Sequence, residues 1–69
     1  MKGALKLLLD AGFEAKKAGS NSILVTSLRP GINETLYFNK SGIDTDIMKN
    51  GEEYGSRNFS DIHEYIGQN

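Results

Sequence analysis

The chain has no cysteine. No disulfide can staple it, no thiolate can hold a metal, and no thiol nucleophile exists. Long hydrophobic runs are missing as well. The most apolar stretch, Leu5, Leu7, Leu8 and Leu9, is interrupted by Lys6 and closed by Asp10. It is too short for a transmembrane span and lacks the cleavage region of a signal peptide. A cytoplasmic protein with no membrane contact is therefore expected, and the sequons Asn33-Glu34-Thr35 and Asn58-Phe59-Ser60 mean nothing without secretion. No Walker loop, dinucleotide fingerprint, zinc spacing or nucleophile elbow occurs. No cofactor is expected.

What is present suits one small domain spanning 1–69. A chain of this size buries only about 60% of its unfolded surface. The core of an unstapled scaffold this small rarely supplies more than ~3–5 kcal/mol, so association with a partner would help it. A net charge of −1 excludes a strongly cationic nucleic-acid binder. The charge is uneven, however: residues 1–40 carry a balance of +3 and residues 41–69 one of −4. Such a field can steer a partner.

Periodicity supplies the elements. Residues 2–11 read as a helix, with Ala4, Leu5, Leu8, Leu9 and Ala11 at spacings of three and four. Gly12 and Phe13 fit a Schellman ending in which Phe13 covers Leu8. Residues 14–21 are polar and small and read as a connection. The stretch 22–28 is β-branched and aliphatic, Pro30-Gly31 fits a type II turn, and 34–39 is the next strand. Asn50-Gly51 is the strongest short-range hairpin signal in the chain, because both residues tolerate positive φ. As a two-residue loop it sets Lys49 opposite Glu52, Ile47 opposite Tyr54 and Asp44 opposite Arg57. After Arg57, Asn58 or Ser60 can cap a short helix that Gly67 ends.

The expected fold is α+β: a four-stranded antiparallel meander with an N-terminal and a short C-terminal helix packed on one face (α-β-β-β-β-α). The registers collect Ile23, Val25, Leu36, Phe38, Ile43, Ile47 and Tyr54 on the covered face. To these the helices add Leu5, Leu8, Leu9, Phe13, Ile62 and Ile66. A one-residue slip would bring Leu24 and Leu28 inward instead. The other face then shows Leu24, Thr26, Leu28, Thr35, Tyr37, Asp44, Asp46, Met48, Glu53 and Arg57, with nothing left to cover it. Leu24, Leu28 and Tyr37, joined by Ile32, are its apolar patch. A contiguous apolar patch on a small domain marks an interaction surface.

Candidate chemistry is sparse. His63, the only histidine, has Ser60 within helical reach but no carboxylate to orient it, so it reads as a surface or interfacial residue. Asp44 and Asp46 share a face with Glu53, yet their spacing does not fit a Ca²⁺ loop and Arg57 answers one charge. No metal site is expected. Lys2, Lys6, Lys16 and Lys17 could form a basic patch with Arg29 and Lys40, for which single-strand binding would also want aromatic platforms.

The run Leu7-Leu8-Leu9-Asp10-Ala11-Gly12-Phe13-Glu14, followed by Gly19-Ser20-Asn21 and a strand, resembles the opening of HicA toxins, small double-stranded-RNA-binding-domain-like proteins (α-β-β-β-α) that cleave mRNA. In that family Gly-Ser precedes the catalytic histidine. Here Asn21 stands in its place and cannot act as a base. The resemblance covers roughly the first third of the chain and implies the fold and contact with RNA, without nuclease activity. The stretch from Asn50-Gly51 through Gly55-Ser56-Arg57-Asn58-Phe59 is similar to part of a small type I-F anti-CRISPR protein. Together these features lead to a small non-catalytic binding protein of phage type. It would act on a protein partner or its own copy through the open sheet face, with an RNA-associated HicA-like domain as the alternative.

Overall fold

The computed structural model describes residues 3–69, apart from the side chain of Ser27. Its α+β fold opens with α1 (Ala4–Asp10) and closes with α2 (Ile62–Gly67). Between them run β1 (Ala15–Gly19), β2 (Ser22–Arg29), β3 (Ile32–Asn39), β4 (Gly42–Lys49), β5 (Glu52–Gly55) and β6 (Asn58–Phe59). All pairings are antiparallel. The strands lie in the order β1-β2-β3-β4-β5, and β6 continues beside β4 beyond β5.

The local signals work as the residues dictate. Gly12 takes φ 94°. Its N–H donates to the Leu9 carbonyl and the Phe13 N–H to that of Leu8, the two bonds of a Schellman ending. Asn50 and Gly51 both adopt positive φ, 52° and 84°, as a type I′ turn needs. Phe38 pairs with Ile43 and Leu36 with Thr45, which puts Leu36, Phe38 and Ile43 on one side of the sheet as expected. Asp61, not Asn58 or Ser60, is the N-cap of α2. Its carboxylate accepts from the Glu64 N–H at 2.9 Å while Glu64 accepts from the Ser60 N–H at 2.6 Å, a close relative of the capping box.

Both helices cover one face of the sheet. The core comprises Ala4, Leu8, Ile23, Val25, Leu36, Ile43, Phe59, Ile62 and Tyr65, with Leu5, Phe13, Leu28, Phe38 and Ile66 packed around it. Phe59 meets Tyr65 edge-on at 4.9 Å between ring centres, a favourable aromatic geometry.

Several expectations are corrected. The stretch 14–21 is not a plain connection, because it contains β1. This is an edge strand whose Lys16, Lys17 and Ala18 are exposed, so it lacks the apolar alternation that marks a strand, and its lysines are of the kind that protect an edge. With β6, the described sheet has six strands rather than four. Tyr54 does not face Ile47: a bulge between Met48 and Ile47 sets Gly55 there, and Tyr54 is left 63% exposed. An extra residue on one strand moves everything after it by one place. Hence Asp44 pairs with Asn58, and Arg57 crosses to the helix side. Finally, β2 is irregular between Val25 and Arg29, which carries Leu28 onto the core side, and Leu9 stays half exposed.

Candidate functional site

Alternation along the strands leaves one broad side of the sheet without a helix. Three cross-strand rows build it. Lys16, Leu24, Thr35 and Asp46 form the middle row across β1 to β4. On one side lie Ser22, Tyr37, Asp44 and Asn58, and on the other Asn33, Met48 and Glu53. Each apolar member sits between neighbours that point inward: Leu24 between the fully buried Ile23 and Val25, and Tyr37 beside the fully buried Leu36. The centre of this side is therefore Leu24, Thr35, Tyr37 and Met48. Tyr37 is 45% exposed, while Leu24, Thr35 and Met48 are half-buried by their neighbours.

The charges on this side are held differently from one another. Asp44 is occupied: Asn39 Nδ2 donates to one carboxylate oxygen at 3.0 Å and Asn58 Nδ2 donates to the other. Asp46 and Lys16, by contrast, have no partner among the described residues. They end the same row, three strand spacings of ~4.8 Å apart, too far to meet within one chain.

The helix side holds a different constellation, which the sequence reading missed. Glu34, on β3, is fully buried. Arg57 Nε and Nη2 donate to its two oxygens at 3.1 and 2.6 Å. The Tyr65 hydroxyl adds a third bond at 2.8 Å. Burial alone would raise the Glu34 carboxyl, but the hydrogen bonds from Arg57, Thr45 and Tyr65 and the Arg57 charge outweigh it and hold the group below its ordinary value. The bond to Glu34 raises the Arg57 guanidinium in return. Burial and then that same carboxylate push the Tyr65 phenol up. Arg57 also lies over the Phe59 and Tyr65 rings and donates to Asn69 Oδ1 at 3.0 Å. The cluster ties β3, the short segment between β5 and β6, and α2 together. Every buried polar side-chain atom among the described residues is satisfied.

No family model, curated protein or solved structure matches the chain. Any functional reading therefore has to come from the surface itself.

Of the residues expected at the interaction face, Leu24 and Tyr37 are there. Leu28, Ile32 and Arg57 are not. They line a cleft of about 370 Å³ on the helix side, together with Ile47, Tyr54 and Asn69. Leu28 moved because of the irregular stretch of β2, and Arg57 because of the bulge and the demand of a buried carboxylate for a cation. Ile32 shares its side with Glu34 and Leu36, two and four residues on. Met48 and Thr35, expected on the open face, remain there.

The basic residues do not converge. Lys6 pairs with Asp10 along α1 at 3.0 Å. Lys16 and Lys17, adjacent in a strand, project to opposite sides. Arg29 borders the cleft, and Lys2 lies outside the described residues. His63 is exposed on α2. Among the described residues no group of three His, Asp or Glu side chains could hold a metal, and no helix is long and apolar enough to cross a membrane.

Proposed function

We propose that this chain is a small cytoplasmic binding protein, a modulator of the kind phages and mobile elements carry, that docks on protein through the open side of its sheet. The observation that carries the reading is the cross-strand centre of Leu24, Thr35, Tyr37 and Met48, which neither helix covers. An apolar centre ringed by charge is the anatomy of a docking surface, and Tyr is among the residues that dominate binding energy there. The rim of Lys16, Asp46 and Glu53 would orient the partner more than it would hold it.

The test is capture of a binding protein by the purified chain, with variants. Leu24→Asp and Tyr37→Ala should abolish capture. Leu9→Ala, at an exposed position of α1, should leave it intact. Equal capture by all three would end the reading. The RNA-associated alternative has less support, because its cations diverge. It requires retention on RNA at low salt that fades steeply as salt rises.

A further inference from the structure

Building on that reading of the open face, we infer that its occupant is a second copy of this chain, bound face to face about a two-fold axis parallel to the strands. The argument is charge complementarity along one row. Lys16 lies at the β1 end and Asp46 at the β4 end of a ladder whose centre is Leu24 and Thr35. Neither has a partner among the described residues of its own chain.

Two arrangements could stack such a face on itself. A two-fold running across the strands would place β1 over β1 and so Lys16 over Lys16, which repels. A two-fold running along the strands, above the gap between β2 and β3, exchanges β1 with β4 and β2 with β3. It sets Lys16 of each copy over Asp46 of the other. It also brings Leu24 over Thr35, and Tyr37 over the small Ser22, each contact occurring twice as an isologous interface requires. Stacked sheets lie ~10 Å apart, a gap that a lysine stem spans. Asp44, already held by Asn39 and Asn58, needs no counter-charge from the second copy.

Charge reversal with sedimentation equilibrium or native mass spectrometry tests the inference. Wild type should dimerise. Lys16→Glu and Asp46→Lys should each weaken the dimer by at least about tenfold, since each sets two like-charge pairs in contact. Mixing the two variants should restore it as a heterodimer, with opposite charges at both contacts, and the double variant should restore it alone. Both positions are exposed, so circular dichroism should show the fold unchanged. A chain that stays monomeric at millimolar concentration overturns the second copy as occupant, leaving the docking face to the capture experiment. A dimer that survives both reversals but not Leu24→Asp uses this face in another arrangement, which overturns the stated axis. A dimer that survives all three forms elsewhere, which also overturns the inference.

Discussion

Removing Arg57 should unfold the domain, or nearly so. The Arg57→Ala change leaves Glu34, with 0% of its side chain exposed, with only the Thr45 and Tyr65 hydroxyls and no cation. Severing a buried ion pair on one side costs about 3–5 kcal/mol, mostly because the surviving charge is stranded. The Arg57 side chain keeps 34% exposure, so water can partly replace it and the lower end, about 3 kcal/mol, applies. That is most of the ~3–5 kcal/mol such a core supplies. In urea, with a slope of roughly 1 kcal/mol per molar for a small domain, the midpoint should fall by about 3 M, leaving little or no folded baseline. Circular dichroism would follow the change. The triple replacement Glu34→Leu, Arg57→Met, Tyr65→Phe removes charge and hydroxyl together, and should be near neutral or stabilising. The contrast in sign is the point. If Arg57→Ala loses less than about 1 kcal/mol, the pair behaves like a surface salt bridge and the account of the cluster is wrong.

Other outcomes follow from the same contacts. Because Glu34 is held below its unfolded value, its ionisation stabilises the fold above the ordinary glutamate range near 4.3, and that contribution is lost as pH falls through the folded value. Acid titration should therefore show a steeper loss of stability below about pH 4 in wild type than in Glu34→Gln; parallel curves would count against this assignment. Gly42→Ala should destabilise by more than about 1 kcal/mol, since φ is 136° and a Cβ would come 2.5 Å from the Phe59 carbonyl oxygen; thermal melts would report it. Asp61→Ala should cost about 1 kcal/mol by removing the α2 cap, seen as a lower urea midpoint with an unchanged slope.

How much was legible depends on range. Gly12-Phe13 and Asn50-Gly51 declared a helix end and a turn because their requirements are local: one residue at positive φ, one bond to a nearby carbonyl. The facing of Ile23, Val25, Leu36 and Ile43 followed from alternation. What failed was anything that alternation alone cannot count. An inserted residue at the bulge near Tyr54 reverses the side of Arg57 without any change in composition. The edge strand β1 is held by backbone bonds to β2, so its side chains advertise nothing. Glu34 was readable in part, for it shares the parity of Leu36 and Phe38. A charge at a core position requires a buried counterpart, but which of the cations supplies it is decided some twenty residues away. Tyr65 was hidden likewise, between helix positions chosen for their aliphatic character. On the open side Leu24, Thr35, Tyr37 and Met48 all lie where alternation placed them.

The meander has a kinetic meaning. Each of the first five strands lies against its neighbour in the chain, so most of the sheet closes through hairpins that sacrifice little loop entropy. Proteins rich in such near-neighbour contacts reach the native state quickly. Among the exceptions are the bonds from Arg57 and Tyr65 to Glu34 and the meeting of α1 with α2, which joins opposite ends of the polypeptide. Folding should therefore start among the turns and finish with the helices, making their docking the last step to form and the first to let go.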